Sequence, residues 1–339
     1  MTRQPPSKTG AATHAAALHA DDTTTRAPKV DEVLRSLEGT TVYYDSLSGN
    51  NGDDLIREGC ELAIREAGLT SVATPEEAQT VIITGGGGMI ESSKAGIGGL
   101  RAHLDRRPEQ GIVVLPQSYW FKTLDFASLF RGRTAPVTLF ARERYSLEIL
   151  QQLDLPSSVT LGLDHDMALR LRRSDFIKRL KSQSRTKHVL IVERGDGEAT
   201  TGIKHRAIGN RSINRFVPQA LKAPLKRAIR KRQAQQHAAT SSYVSRMLEL
   251  VEREHGGVAD LPLITSDISD PGNATYEGFC DAVNDAAVVV TNRLHVGVLA
   301  AMLNKPTYLA TNSYHKIRGI YEYSLRDMSH VTFVQDSPG

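Results

Sequence analysis

Two groups of basic side chains follow apolar runs near the end of the chain. Arg293 and His295 come directly after "AAVVVTN", and His315 and Lys316 come shortly after "PTYLAT". Polar residues that end neighbouring strands of a parallel sheet gather at one edge of that sheet. Arginine and lysine bind carboxylates and phosphates, and imidazole exchanges a proton near neutral pH. The pattern therefore predicts an anion site with a proton donor, although a lone histidine at a helix start is more often structural.

The stretch "GNNGDDLI" at 49–56 follows another predicted strand and opens a helical pattern. Asn50 and Gly52 suit a turn, and Asp53 stands where it can cap the helix and leave amides facing a ligand. A plain capping turn explains the same residues. The stretch is thus a candidate ligand site with a structural alternative.

Four consecutive glycines at 85–88 follow the apolar run "VIIT". Gly86 and Gly87 would let the backbone approach a ligand closely, and the helix predicted after this loop would turn its N-terminus to an anion. The stretch does not match the dinucleotide-binding fingerprint, because Ile90 occupies the position of the third glycine. No Gly-Lys-Ser/Thr follows, so it does not match a nucleotide phosphate-binding loop either. A dinucleotide oxidoreductase is therefore disfavoured.

Two further strand ends carry polar side chains. Gln117 and Ser118 follow Pro116, which we expect to end its strand, and Arg142 ends the run "VTLFAR". An arginine there can grip a carboxylate or phosphate with two hydrogen bonds. A structural ion pair is an equally good explanation of Arg142.

The elements that must position these residues alternate along the chain from residue 39. Short apolar runs separated by helical stretches are typical of parallel sheets covered by helices. We therefore predict two Rossmann-like parallel-sheet domains that face a cleft. The expected boundaries are a disordered tail at 1–38, an N-terminal domain at 39–160, a linker at 161–186 and a C-terminal domain at 187–330.

Composition and charge narrow the class of protein. The chain has 339 residues, 40% of them hydrophobic, and a net charge of +4, which favours anionic ligands without indicating nucleic acid. Its 2 cysteines stand far apart, so we expect no disulfide or zinc site. No apolar run reaches the roughly 18 residues of a membrane span, and a cytoplasmic protein is expected.

A basic insertion at 200–248 concentrates the positive charge. It lacks aspartate and glutamate, and ten lysines and arginines lie between 204 and 232. A solvated helix face or loop is one explanation. Docking on an anionic membrane that carries lipid-linked glycans is the other, because each cation near such a surface contributes up to about 1 kcal/mol.

These motifs together resemble the polysaccharide pyruvyl transferase family. The resemblance rests on "NNGDD", "VIITGGGG", "VVLPQS", "ARERYS", "GLDHDMAL", "VVVTNRLHVGVLAAMLNKP" and "YHKIRGI", in that order, from about Val42 to Leu325. It implies a fold similar to two-domain GT-B glycosyltransferases. It also implies an enzyme that transfers the pyruvyl group of phosphoenolpyruvate to a sugar of a polysaccharide, or of its lipid-linked precursor, as a ketal.

The resemblance also assigns roles to residues. Arg293, in the segment with Leu294, and Arg142 would bind the donor, and His295 would be the acid. Asn50, Gly52 and Asp53 would lie on the acceptor side, in the N-terminal domain. The chemistry of ketal formation adds two further candidates: Asp53 or another carboxylate as the base, and Lys316 as an aid to the two arginines in binding the donor. No cofactor or metal is expected. Two alternatives stay open: a GT-B glycosyltransferase that uses a nucleotide-activated sugar, and a glycan- or anion-binding protein without activity.

Overall fold

The protein was examined in a computed structural model that describes residues 27–47, 49–194, 242–258, 261–311 and 315–334, with backbone alone at 242–245 and 257. Two parallel sheets with helices around them form two α/β domains. The predicted pair of parallel-sheet domains is confirmed.

The N-terminal sheet has seven strands. Its order is β2-β1-β3-β5-β6-β7, and β4 extends the line of β3 alongside β5. Every pair in it is parallel. The strands are β1 (Thr41–Asp45), β2 (Thr70–Ser71), β3 (Thr80–Ile83), β4 (Gly86–Ile90), β5 (Gly111–Trp120), β6 (Val137–Ala141) and β7 (Val159–Leu163).

Helices cover this sheet and lead to the second domain. Each crossover passes through a helix or loop, as parallel pairing requires. The helices are α1 (Val30–Ser36), α2 (Asn51–Glu66), α3 (Lys94–Arg106), α4 (Arg144–Gln151) and α5 (Asp175–Gln183), with short 3-10 helices at Ala127–Phe130 and Met167–Arg173.

The C-terminal sheet has five strands in the order β12-β11-β10-β8-β9, again all parallel. Its strands are β8 (His188–Val192), β9 (Leu263–Ile264), β10 (Ala286–Thr291), β11 (Thr307–Ala310) and β12 (Val331–Val334). Its helices are α6 (Ser242–Glu254), α7 (Tyr276–Asn284), α8 (Leu294–Met302) and α9 (Lys316–Ile320), followed by a π-helical turn at Tyr321–Leu325.

One apolar cluster continues from the first domain into the second. Leu55 and Ile56 of α2 belong to the same buried cluster as Phe279 of α7 and Val296 and Leu299 of α8. Apart from His295, helix α8 is apolar on all sides, which is typical of a buried helix. The domains therefore share a core beneath the cleft.

The structure differs from the sequence expectations at several points. Helix α1 lies within the stretch predicted as a disordered tail, and residues 1–26 of that stretch lie outside the described residues. Strand β7 crosses the predicted start of the linker at 161, and α5 lies within the linker. Strand β5 continues through Pro116, where the pairing with β6 is irregular because proline has no N–H to donate. Residues 200–241 of the basic insertion lie outside the described residues, and its last part, 242–248, belongs to α6.

The glycine run was also predicted wrongly. Its last three glycines begin strand β4 instead of forming a loop that leads straight into a helix, and α3 begins only at Lys94. Within the described ranges, none of the helices combines the length and apolar character needed to cross a bilayer.

Candidate functional site

A cavity of about 220 Å³ lies between the carboxyl ends of the two sheets. Among the described residues that line it, four side chains are cationic and Asp53 is the acidic one. The predicted residues in its lining are Asn50, Asp53, Gly87, Gln117, Arg142, Arg293, Leu294, His295 and Lys316. The two groups of sequence candidates, one from each domain, thus meet in one cleft.

A buried carboxylate joins the two domains at this cavity. Asp166 follows β7 and is 1% exposed, and its Oδ2 accepts from Arg142 Nη1 at 2.6 Å. His295 Nε2 lies 3.3 Å from the same oxygen. The Arg142 side chain is itself buried and donates from Nε to Ser118 Oγ at 2.9 Å. Ser118 therefore holds the arginine.

Asp166 is ionised in this environment. Burial alone would raise the pKa of its carboxyl group, but His295, Arg142 and the Ala168 amide together hold that pKa well below its usual range. An ionised carboxylate only accepts hydrogen bonds, so His295 Nε2 carries the hydrogen of their contact. Nδ1 is then the ring nitrogen of His295 that takes no part in this contact.

Close packing of the backbone fixes Asp166 in place. The next residue, Met167, presses its carbonyl against Gly59 of α2, where an added Cβ would lie 1.9 Å from that oxygen. Only glycine permits this approach of the segment to the helix. The position of the carboxylate is therefore set by the packing of the Met167–Arg173 helix on α2.

Arg293, at the N-cap of α8, is held by a second carboxylate. Its Nε donates to Asp267 Oδ1 at 3.0 Å and its Nη2 donates to Oδ2, a two-pronged contact with both side chains largely buried. Asn51 Nδ2 of α2 donates to the carbonyls of Ile268 and Ala274, each at 2.9 Å. The loop that carries Asp267 is thus tied to the N-terminal domain.

The N-terminus of α2 packs against the imidazole. Asn50 caps the helix by accepting from the Gly52 amide at 2.8 Å, and Asp53 Oδ2 accepts from the Asn50 amide at 2.8 Å. The capping turn expected from the sequence is therefore present, and Asn50 and Asp53 also line the cavity. A Cβ added at Gly52 would lie 2.9 Å from His295 Nδ1. Gly52 thus leaves room for the imidazole.

Three further predicted residues lie in the neighbouring strands β4 and β5. Gln117 lies inside β5 and bridges the Thr84 carbonyl and the Gly88 amide, at 2.7 and 2.9 Å. Gly86 is buried inside β4, and Gly87 reaches the cavity.

His315 lies behind the cavity rather than in its lining. Its Nε2 is 3.5 Å from Glu143 Oε1 and from Ser146 Oγ, and both of those side chains are buried. Glu143 also caps α4 by accepting from the Ser146 amide. His315 therefore links α9 to the N-terminal domain, while the next residue, Lys316, reaches the cavity.

Sequence reasoning missed several residues of the site. Asp166 was placed in a linker, although it follows the apolar strand β7 just as the recognised candidates follow theirs. Asp267 follows a strand of only two residues, which gives a weak signal. The others that line the cavity are Leu47, Thr84, Gly85, Gly88, Ser93, Ala95, Gly96, Arg194 and Ser269.

Comparison with solved structures finds a protein with a similar fold. A functionally uncharacterized protein from Klebsiella pneumoniae superposes with a TM-score of 0.60 at 17% identity, covering 90% of this chain and 97% of that one. A family 9 glycosyl transferase from Veillonella parvula, at 13% identity and 88% coverage of both chains, reaches a TM-score of only 0.29, too low to carry an argument. No curated protein sequence matches the chain.

The sequence profile of one family matches residues 50–314. This match covers most of the chain, including the stretches that supply Arg142, Asp166, Arg293 and His295. The protein belongs to the polysaccharide pyruvyl transferase family.

Proposed function

We propose that the protein transfers the pyruvyl group of phosphoenolpyruvate to a sugar of a polysaccharide, or of its lipid-linked precursor, and forms a pyruvate ketal. Family membership supports pyruvyl transfer to a polysaccharide in general. The observation that carries the finer proposal is the convergence of Arg142, Arg293 and His295 on one small cavity, with Asp166 contacting two of them.

The charges of the cavity suit this donor. Phosphoenolpyruvate carries a carboxylate and a phosphate, and Arg142, Arg194, Arg293 and Lys316 bring positive charge from both domains. The carboxylates of Asp166 and Asp267 fix the planes of Arg142 and Arg293 before the donor arrives. Donors that need no reorganisation stabilise developing charge most effectively.

His295 is the proton donor in this proposal. From Nδ1 the protonated imidazole gives a proton to the methylene carbon of the donor, and a sugar hydroxyl attacks the adjacent carbon. Asp53 lines the cavity and takes the proton of that hydroxyl, which later returns to His295 through solvent. A second hydroxyl then closes the ketal as the C–O bond to phosphate breaks, and its proton leaves with the phosphate.

Asp166 acts through its neighbours rather than on the substrate. Its carboxyl group is buried, so it orients the imidazole and the guanidinium without reaching a sugar. The reaction exchanges no electrons with a second reactant, so it calls for no redox cofactor. A cytoplasmic location at the inner face of the membrane belongs to the proposal and rests on the basic insertion at 200–248.

The test uses the full-length protein, phosphoenolpyruvate and the surface polysaccharide of a strain of the source organism that lacks the gene. Released phosphate gives the rate, and mass spectrometry of the polysaccharide detects the ketal. We expect His295→Ala to lower turnover about 10²- to 10⁴-fold, since positioned acids contribute that much. His255→Ala, which removes an imidazole that contacts Tyr308 elsewhere in the C-terminal domain, should keep the wild-type rate.

Two results would contradict the proposal. Transfer from a nucleotide sugar, with no phosphate released from phosphoenolpyruvate, would identify a glycosyltransferase instead. Binding of phosphoenolpyruvate and polysaccharide without turnover would identify a binding protein.

A further inference from the structure

A larger groove lies beside the cavity, on the side of α4 and α9. Its volume is about 770 Å³, compared with about 220 Å³ for the cavity. We call it the aromatic groove, and its main lining residues are Arg144, Tyr145, Arg318, Tyr321, Tyr323 and Phe333. Both domains contribute to it.

Two short stretches of chain each reach the cavity and the aromatic groove. Arg142 lines the cavity and Arg144 lines the groove, so their Cα atoms are at most about 7 Å apart. Lys316 and Arg318 stand in the same relation along α9. The buried contact between Glu143 and His315 lies between the two spaces. The groove therefore lies close to the cavity along both stretches, with this contact beside it.

The surface of the groove suits sugar rings. Tyr321 stacks on Phe333 with ring centroids 5.2 Å apart, and the Arg144 guanidinium lies 6.0 Å from the centroid of Tyr323. Aromatic faces carry partial negative charge and pack against the C–H faces of sugars, while guanidinium and carboxylate groups bond to hydroxyls. Asp327 supplies a carboxylate, as does Glu322, which also accepts from Tyr145 Oη at 2.9 Å and from Arg318 Nε at 2.8 Å.

A row of rings leads toward the groove. Trp120, at the end of β5, is the exposed large hydrophobic side chain of the described residues, at 37%. Its ring centroid lies 5.4 Å from that of His315, which lies 5.4 Å from that of Tyr145 in the groove. An exposed tryptophan in such a row has the chemistry of a stacking platform for a sugar.

The sizes of the two spaces indicate how an acceptor chain is divided between them. Pockets that bury most of a drug-sized ligand measure about 300–1,000 Å³, so the cavity is below that range and the groove is within it. The cavity suits the donor and the sugar that receives the pyruvyl group. We infer that the aromatic groove binds the neighbouring sugars of the acceptor chain; this inference rests on the proposed function.

The test compares acceptors of different length. Polysaccharide from the deletion strain is partly hydrolysed and separated by size, and kcat/KM is measured with a long and a short fraction. Wild-type protein should prefer the long fraction. Tyr323→Ala should lower the long-to-short ratio about tenfold through a higher KM, as expected for the loss of one aromatic contact.

Two further variants separate stacking from general damage. Tyr323→Phe keeps the ring and loses the hydrogen bond from Lys29, so it should keep the preference for long chains. Arg131→Ala removes an exposed arginine outside the groove, which pairs with Asp125, and should behave as wild type. Melting temperatures verify that each variant is folded.

The outcomes distinguish the inference from the function it rests on. Phosphoenolpyruvate-dependent transfer with an unchanged length ratio in Tyr323→Ala would overturn the groove assignment and leave the proposed function standing. Failure of the wild type to transfer pyruvyl to any fraction would overturn the function itself, and the inference with it.

Discussion

Replacing Gly52 with alanine tests the close contact between α2 and the His295 imidazole. A Cβ at this position would lie 2.8 Å from His295 Cβ, 2.9 Å from His295 Nδ1 and 2.9 Å from Asn50 Oδ1. Real Cβ atoms are almost never so close to other heavy atoms. Both the imidazole and the capping side chain must therefore shift relative to the first turn of α2.

The size of the effect follows from these distances. Alanine is better than glycine in a helix by up to about 1 kcal/mol, whereas overpacking a buried site costs about 1–3 kcal/mol. Gly52→Ala should thus be between neutral and about 2 kcal/mol less stable than wild type. The effect on turnover should be larger than the effect on stability, since a shift of about 1 Å in a reacting group can lower a rate about 10²-fold.

The assay pairs urea unfolding with phosphate release from phosphoenolpyruvate. Gly98→Ala in α3 is the matched control, because no atom lies within 4 Å of its added Cβ. It should be about 0.5–1 kcal/mol more stable and fully active. If Gly52→Ala lowers turnover by displacing the imidazole, the double variant Gly52→Ala/His295→Ala should have the same turnover as His295→Ala alone. A folded Gly52→Ala protein within about threefold of wild-type turnover would refute the reasoning.

Three further variants or conditions test the buried contacts. Asp166→Asn leaves the Arg142 charge buried without its carboxylate and should destabilise the fold by about 3–5 kcal/mol in urea unfolding. Since folding depresses the pKa of Asp166, its stabilisation is present above about pH 4 and lost as the pH falls further. Asp166→Asn should therefore flatten the acid side of a stability–pH curve. Asn51→Asp cannot donate to two buried carbonyls and should lose about 1–3 kcal/mol, whereas Asn304→Asp on the surface should not.

Hydrophobic patterning was a good guide to the sheets and a poor one to the glycine run. Apolar runs such as "AAVVV" become buried strands because a parallel sheet is covered on both faces. Four glycines carry no such pattern, and the low strand propensity of glycine argues against a strand. Strand β4 forms because it extends β3 beside β5, with the Gly88 amide bonded to Gln117 Oε1. That contact depends on tertiary structure.

Most cationic residues of the site were accessible from the sequence, with Arg194 as the exception, and their carboxylate partners were not. Arg142, Arg293 and His295 follow clear apolar runs, so the rule for strand ends finds them. Asp166 and Asp267 lie 24 and 26 residues from the arginines they hold, across turns that no local pattern specifies. Pairing at that range becomes visible only once the two sheets are assembled.

The shared apolar cluster restricts how the cleft can move. Hinge motion between domains is the usual expectation unless their interface is large and hydrophobic. Opening this cleft by rotation would pull α2 away from α8 and hydrate side chains such as Leu55 and Leu299, at about 25 cal/mol per Å² exposed. We therefore expect little hinge motion between the two domains, and we expect substrates and products to pass by movement of loops and side chains.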